Sequence, residues 1–231
     1  SLLLKAASCS PIALAIYGQE MDITTRGLAV MNMILHGQAT AEIEQGDVLA
    51  EPQFTDSPDS VKKHDYVVAN PPFSTKTWAT GFNPKEDPFG RFGKEILPPE
   101  KNGDFAFLLH ILASLKPEGS GSVILPLGVL FRGGTEAKIR EKILRQGMIK
   151  GIIGLPANLF YGTGIPAAII VLDKSGACNQ RPVFFVDASK GFTKDGNKNR
   201  LRERDVHKIS DVFESAMEVK GYSRSVPFEE I

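Results

Sequence analysis

Seven short runs of apolar and β-branched residues recur along the chain, and they constrain its fold more than any other feature. Most of these runs are continuous rather than alternating, which is typical of strands covered on both faces of a sheet. Segments with a helical spacing of apolar residues separate them. This alternation predicts an α/β domain with a largely parallel sheet. The predicted strands cover residues 13–19, 40–46, 65–70, 121–127, 149–155, 167–173 and 182–188.

Three segments show the spacing of amphipathic helices, at residues 22–36, 104–116 and 135–146. Gly37 and Gly147 follow the first and the third segment, where glycine commonly ends a helix. Helices that connect the strands of such a sheet cover both of its faces. Ligands of these folds bind at the carboxyl ends of the strands, so functional residues are expected there.

The composition excludes several classes of function. The chain has 231 residues, and its 27 lysines and arginines balance its 27 aspartates and glutamates, so net charge gives no sign of a global nucleic-acid footprint. Any nucleic-acid contact must come from a local patch or from a partner subunit. Cys9 and Cys178 have no CxxC spacing and no histidine cluster, which argues against a metal site and favours a reduced, cytoplasmic protein. The apolar N-terminal stretch is too short to cross a bilayer, so no membrane partner is expected.

Two stretches lack a regular pattern. Residues 50–64 are polar and rich in acid and proline, and residues 74–103 are dense in glycine, proline and charge. Loops of this length in a compact domain are usually functional or mobile. We therefore predict a long loop at 74–103, with a role that the sequence leaves open.

The segment DYVVANPPF, residues 65–73, carries the strongest chemical signal. Asn70 falls where the predicted strand emerges at the carboxyl edge of the sheet. Pro71 and Pro72 prevent helix formation and lack backbone N–H donors, so this turn offers carbonyl acceptors. The Asn70 side chain adds a further acceptor, and Phe73 adds a flat ring suited to stacking. The segment therefore predicts a rigid pocket for an amino group on a planar base.

The motif NPPF at 70–73 resembles the catalytic motif of amino-methylating DNA methyltransferases. Further stretches extend the resemblance in order along nearly the whole chain, to the modification subunit of type I restriction–modification systems. Members of this family methylate adenine at N6 with S-adenosylmethionine, on a Rossmann-like sheet with helices on both faces. The stretches are YGQE at 17–20, MNMILHG at 31–37, GDVL at 46–49, ILPLGVLFRGG at 124–134 and GLPANLFYGTGIPAAIIVL at 154–172.

The resemblance implies a binding site for the cofactor. It assigns Glu20 to the ribose hydroxyls and Met21 to packing on the cofactor's adenine. It assigns Asp47 to the amino group of that adenine, with Val48 beside it. A carboxylate at the end of a strand is well placed to accept from two hydroxyls, which agrees with the assignment of Glu20. Ser1 is expected to be the last residue of the loop that holds the cofactor's methionine moiety.

The resemblance also implies a pocket for a target adenine extruded from the duplex. The Asn70 side chain and the Pro71 carbonyl are expected to accept from N6, with Pro72 stiffening the turn and Phe73 stacking on the base. Phe160 or Tyr161 is a further candidate for the wall of this pocket. A turn with its aromatic side chains packed inward is an equally good interpretation of those two residues.

The chain departs from the family at its start. The glycine-rich cofactor motif and the first strand of the sheet are absent, and SLLLKAA resembles the helix that follows them. The family's N-terminal helical domain and its last C-terminal helices are also missing. We therefore expect residues 1–231 to be a catalytic domain truncated at both ends, with crippled cofactor binding and no activity alone.

The expected partners follow from the family: double-stranded DNA, a specificity subunit that reads the bases, a second modification subunit and a restriction subunit. The basic stretch at 190–208 is either a contact to phosphates or a solvated surface. Two other functions stay open. One is a non-catalytic fragment that docks partner subunits, and the other is a protein-glutamine methyltransferase, because a similar motif also serves a side-chain amide.

Overall fold

The computed structural model of the chain describes residues 2–177 and 181–231, so the predictions for Ser1 and Cys178 lie outside the described residues. Helices and strands alternate through most of it. The α-helices are α1 (Leu2–Cys9), α2 (Ile23–Leu35), α3 (Asp104–Ala113), α4 (Thr135–Arg145) and α5 (Glu203–Glu214). The strands are β1 (Tyr17–Glu20), β2 (Glu42–Gln45), β3 (Thr55–Ser57), β4 (Ser60–Val61), β5 (His64–Ala69), β6 (Leu115–Pro126), β7 (Ile149–Gly154), β8 (Ala167–Asp173), β9 (Val183–Asp187), β10 (Thr193–Asp195), β11 (Lys198–Arg200) and β12 (Ser223–Val226).

A six-stranded sheet in the order β12-β9-β7-β8-β6-β5 forms the centre of the fold. The predicted α/β class is confirmed, but the expectation of a largely parallel sheet is wrong. β8 runs antiparallel to both of its neighbours, and β12 runs antiparallel to β9. The reason lies in residues 155–166, which join β7 to β8 without a helix. A parallel pair needs a long crossover, usually helical, whereas a loop of this kind returns the chain in the opposite direction.

Helices cover both faces of this sheet, as expected. Ile152 of β7 packs into the larger core with α3 and α4, whereas its neighbour Ile153 packs with α5 on the opposite face. Successive side chains of a strand point to opposite faces, so one strand serves both cores. Gly151 makes the second contact possible, because a Cβ atom there would lie 2.5 Å from the Phe213 ring of α5.

The N-terminal residues form a smaller unit, in which β1 and β2 pair in parallel as a sheet of their own. Asp22 caps α2 by accepting from the Thr25 amide at 2.7 Å. Arg26 fastens the helix to the strands, because its Nε donates to the Ile43 carbonyl at 2.7 Å. β1 is not hydrogen-bonded to β5, so two separate strand edges face each other in this region.

Several boundaries differ from the predictions. The helix expected at 104–116 ends at Ala113, and Lys116 and Pro117 already belong to the long strand β6. The irregular segment 50–64 contains the short hairpin β3–β4. No α-helix in the part of the chain that the structure describes is both long and apolar enough to cross a membrane.

Candidate active site

The NPPF segment leaves β5 at the carboxyl end of that strand, as predicted. Asn70 is exposed, and within residues 2–177 and 181–231 neither its side chain nor the Pro71 carbonyl has a hydrogen-bond partner. The Pro72 carbonyl accepts from the Thr75 hydroxyl at 3.2 Å. Phe73 is half-buried. The turn therefore presents two unused oxygen acceptors beside an aromatic ring.

Asp104 fixes the backbone directly after this motif. Its side chain is fully buried, and its Oδ1 accepts from the Ser74 amide at 2.7 Å. Ser74 adopts a φ of 51°, a left-handed conformation that costs most residues about 1–2 kcal/mol. Arg132 donates to the other oxygen of Asp104 at 2.5 Å and to Glu136 at 2.5 Å. This buried ion-pair network holds the turn in a geometry that its backbone alone would not favour.

Sequence reasoning missed this network. Asp104 stands at the first residue of a correctly predicted helix, where an acidic residue is common and implies no special role. Arg132 lies in the family-like stretch ILPLGVLFRGG, which was recognised without a role for this residue. The alignment of these two side chains with Ser74 depends on tertiary packing across 28 and 30 positions of the chain.

The connection between β7 and β8 brings a second ring to the motif. The Phe160 ring lies edge-to-face on the Phe73 ring, with centroids 5.5 Å apart and planes at 78°. Tyr161, in contrast, is 94% exposed. Of the two aromatic candidates in this loop, the structure thus brings Phe160 to Phe73 and leaves Tyr161 in solvent.

The candidate cofactor residues lie on the N-terminal unit. Glu20 is the last residue of β1, and its Oε1 accepts from the Asp22 amide at 3.0 Å. Met21 follows it and is 71% exposed. Asp47 follows β2, and its Oδ1 accepts from the Leu49 amide at 2.8 Å, while its Oδ2 makes no hydrogen bond within the described chain. Both carboxylates therefore keep an oxygen available for a ligand.

Val48 and Leu49 connect the Asp47 turn to the long loop at 74–103. Leu49 is buried with Trp78 and Phe92 of that loop, and Val48 packs against the same cluster. The loop at 74–103 therefore packs against the domain and does not extend into solvent along its whole length. Its aromatic side chains pack against the residues that follow Asp47.

Arg91 is the centre of this contact. Its guanidinium donates to the Val48 carbonyl at 3.1 Å and the Leu49 carbonyl at 2.7 Å, and it pairs with Asp87 at 2.7 Å. It also lies 3.1 Å from Nδ1 of His110 on α3. Arginine only donates, so this nitrogen of His110 must be the acceptor. Burial, and then the charge of Arg91, lower the pKa of His110 to about 3, which keeps its ring neutral.

A cleft of about 660 Å³ separates the two units. Its walls include Gly18 and Gln19 of β1, Val68 and Ala69 of β5, and Val48. The two unpaired strand edges therefore both face this cleft. Asn70 follows one wall directly, and Glu20 follows the other, so the candidate residues for target and cofactor stand at the ends of opposite walls.

The basic stretch at 190–208 forms the hairpin β10–β11 and the start of α5. Part of its charge is neutralised within the chain, because Arg202 pairs with Asp205 at 2.7 Å. Arg200 and Asp195 lie 3.8 Å apart in solvent. Lys198 turns inward to the loop that carries Phe160. The stretch is thus less free to bind phosphates than its composition indicates.

Comparisons with known proteins agree with this architecture. The model of the N-6 DNA Methylase family matches residues 1–231. The methylase subunit of the type I restriction enzyme MpnII of Mycoplasma pneumoniae is 34% identical, over 93% of this chain and 40% of the relative. That of MjaVII of Methanocaldococcus jannaschii is 35% identical, over 94% of this chain and 38% of the relative.

A crystal structure of the type I restriction–modification methyltransferase subunit from Streptococcus thermophilus superposes with a TM-score of 0.86 and 41% identity. It covers 100% of this chain and 49% of the other. The chain therefore spans about two fifths to one half of the length of the relatives that it matches.

Proposed function

Because the chain belongs to the N-6 DNA methylase family, we propose that it supplies the catalytic part of a type I modification subunit that methylates adenine at N6 in DNA. One observation carries the proposal. The Asn70 side chain and the Pro71 carbonyl are unused acceptors at the end of β5, next to the ring of Phe73. An exocyclic amino group has two protons for these two acceptors, and a purine has a face for the ring.

The chemistry follows from this arrangement. Hydrogen bonds from both N6 protons to Asn70 and Pro71 leave the nitrogen lone pair less committed to the purine ring and more able to attack. Pro72 keeps the turn rigid, and Phe73 stacks on the base, which must leave the duplex for N6 to be reached. S-adenosylmethionine would supply an activated methyl group on sulfur. The chain's contribution is to place the nucleophile in line with that group, which is the main source of acceleration in such a transfer.

The residues of the N-terminal unit fit this cofactor. The free oxygen of Asp47 suits an adenine amino group, and Glu20 at the end of β1 suits ribose hydroxyls. Met21 is an exposed apolar side chain suited to covering an adenine ring, and Val48 lines the cleft between the two units. Ser1, assigned to the methionine moiety, lies outside the described residues. The donor set therefore matches the nucleoside end of the cofactor.

We further propose that residues 1–231 are one catalytic domain of a longer protein, completed by a strand in the cleft between β1 and β5. Two unpaired edges on opposite walls of that cleft support this proposal. The chain alone is then expected to bind the cofactor poorly and to be inactive. Calorimetry with S-adenosylmethionine tests this by comparing the chain with a version extended upstream. Equal affinity of both proteins would contradict it.

The proposed partners are double-stranded DNA, a specificity subunit, a second modification subunit and a restriction subunit. The whole protein that contains this chain, assembled with its specificity partner, is the right material for a test of activity. Transfer of labelled methyl groups to DNA and to protein should be measured side by side. Label in DNA adenine is expected. Label in a protein glutamine would favour the protein-methylating alternative, and the absence of any transfer would favour a docking role.

Asn70→Ala should lower the rate of methyl transfer to DNA by roughly a hundred-fold or more, the loss that follows removal of one oriented polar group from a catalytic site. Asn32→Ala on α2 is the control, because it removes the same amide side chain from a solvent-accessible position outside the motif. Undiminished transfer by Asn70→Ala would refute the site.

A further inference from the structure

Lys198 of the β10–β11 hairpin makes a set of contacts that the proposed function does not use. Its ammonium donates to the Asn158 side-chain oxygen at 3.1 Å, to the Phe160 carbonyl at 2.7 Å and to the Thr163 carbonyl at 3.1 Å. A lysine ammonium has three donors, so all of them are used by one loop. Three oxygens of this loop thus bind the ammonium of Lys198, which fixes the side chain more firmly than a single surface contact would.

The neighbouring residue of the hairpin strengthens this attachment. The Asn199 amide donates to the Asn158 carbonyl at 2.9 Å, and its side-chain Nδ2 donates to the Ala157 carbonyl at 2.7 Å. Asn158 itself has a φ of 59°, a left-handed conformation that asparagine tolerates better than most residues. The loop therefore has its shape fixed by the hairpin at several successive residues.

The same loop carries the ring that lies against Phe73. With the two rings edge-to-face at 5.5 Å, no purine fits between them, because a base stacked between two rings needs centroids about 7 Å apart. A base that stacks between the two rings therefore requires the Phe160 ring to move aside. The Phe160 backbone is held by its carbonyl, so the ring can turn while its attachment point stays in place.

We propose that Lys198 is a positioning residue, which holds the Phe160 backbone so that its ring closes on the extruded adenine beside Phe73. The inference rests on the proposed function, because it assigns a task at the same pocket. It adds that the hairpin, although outside the NPPF motif, determines how well the flipped base is held. A merely structural role of Lys198 would instead affect the fold as a whole, including the distant cofactor residues.

The test uses the whole methylase with its specificity partner and two duplexes. One carries 2-aminopurine in place of the target adenine, and its fluorescence rises when the base leaves the stack. The other keeps the target adenine and is used for kcat, because 2-aminopurine has no amino group at C6 to accept a methyl group. Lys198→Met, which removes the charge and keeps the length, is the variant. Lys194→Met is the matched control, because Lys194 is an exposed lysine of the same hairpin and faces Phe192 and not the loop. Thermal melting and the KM for S-adenosylmethionine are measured for both.

Lys198→Met is expected to lower kcat on the adenine duplex roughly ten- to a hundred-fold, as the loss of a charge-assisted hydrogen bond implies, and to lower the rise in 2-aminopurine fluorescence. Its KM for S-adenosylmethionine should stay within about two-fold of wild type. Misplacement of the base lowers kcat, whereas weaker binding of the cofactor would raise this KM. Lys194→Met should behave as wild type. Lys198→Arg keeps donors for the carbonyl oxygens and should recover part of both signals.

Equal kcat and fluorescence for the Lys198→Met and Lys194→Met variants would overturn the inference, as would a parallel loss of cofactor binding. Should Lys198→Met not fold, Phe160→Leu tests the same pocket with the tether intact. It must lower fluorescence and kcat without changing the KM for the cofactor, and a normal Phe160→Leu enzyme would refute the inference. Failure of the proposed function looks different, because wild-type protein would then transfer no methyl group to adenine.

Discussion

The two halves of the candidate site are supported by hydrophobic cores of very different size. The residues proposed for the target base follow a sheet whose main core, within the described chain, contains seventeen buried hydrophobic residues. The candidate cofactor residues stand on a unit whose core contains three, Ile16, Met33 and Ile43. The small unit also leaves large apolar side chains in solvent. The exposed ones from its turn and helix are Met21, Ile23, Leu28, Met31, Ile34 and Leu35.

This contrast indicates which half of the candidate site has its geometry fixed without a ligand. The turn after β5 is fixed by the buried carboxylate of Asp104 and its ion pair with Arg132, so the acceptors proposed for the target base are in place before any ligand binds. Glu20 and Met21 rest on a short strand and on few buried contacts. Local stability follows such differences in packing, so the cofactor half should open more readily than the base half.

The largest expected effect is on the base half. Asp104→Asn takes one of two carboxylate partners from the half-buried Arg132 and weakens the bond to Ser74, and it should lower the free energy of unfolding by about 1.5–3 kcal/mol. Asp47→Asn, the matched change in the small unit, should cost about 1 kcal/mol or less, since one bond in a local turn is affected. Urea denaturation measures both, and equal losses would abolish the contrast.

The contact between His110 and Arg91, which links α3 to the turn after Asp47, should make the free energy of unfolding depend on pH. His110 is neutral in the folded chain with a pKa of about 3, whereas it takes up a proton at about 6.5 once unfolded, so acid favours the unfolded state. Stability from this group is complete above pH 6.5 and decreases as pH falls towards 3; at pH 5 the loss is about 2 kcal/mol.

His110→Asn offers Arg91 an acceptor that does not titrate in this range. Its free energy of unfolding should therefore fall less between pH 7 and 5 than that of wild type. His64, whose pKa burial also lowers, is present in both proteins and cancels in the difference. Identical pH dependence of the two proteins would show that protonation of His110 does not contribute to the loss of stability in acid.

A smaller effect is expected within the N-terminal unit. Arg26→Met removes the bond from α2 to the Ile43 carbonyl, which should cost about 1 kcal/mol. Native-state hydrogen exchange should then become faster for the amides of β2 and stay unchanged for those of β8. Equal acceleration in both strands would mean that the two units open together and not one by one.

The smallest effect concerns the exposed face of α2. Met31→Gln should change the free energy of unfolding by no more than about 0.5 kcal/mol, because Met31 is already 52% exposed and lies outside the small core. Met33→Gln, two positions along the same helix, places a polar group in the small core and should cost several times more. A large effect of Met31→Gln would reveal a packing partner for this face.

The sequence was most informative where chemistry is local. NPPF is one continuous segment, and prolines limit its backbone regardless of context, so its place at the end of β5 could be predicted. The apolar run at 167–173 was predicted with the right bounds, because it is buried on both sides. The direction of β8 could not be predicted in this way, since a buried run looks the same in either orientation.

The contacts that support the site were beyond sequence reasoning. Arg91 lies in a stretch of glycine, proline and charge that predicted a loop, and nothing in its neighbours indicates that it reaches back to Val48 and Leu49. Lys198 was counted as one more charge in a basic stretch, although its ammonium is enclosed by a loop. Charged side chains become anchors only through partners that lie far away in the sequence.

The two open strand edges have a practical consequence. β1 and β5 each present a row of amide and carbonyl groups to the cleft, and such rows are templates for any extended peptide segment that meets them. At the high concentrations used in purification, neighbouring molecules offer such segments. Self-association of the isolated chain should therefore grow with concentration, and a short synthetic strand that occupies the cleft should suppress it.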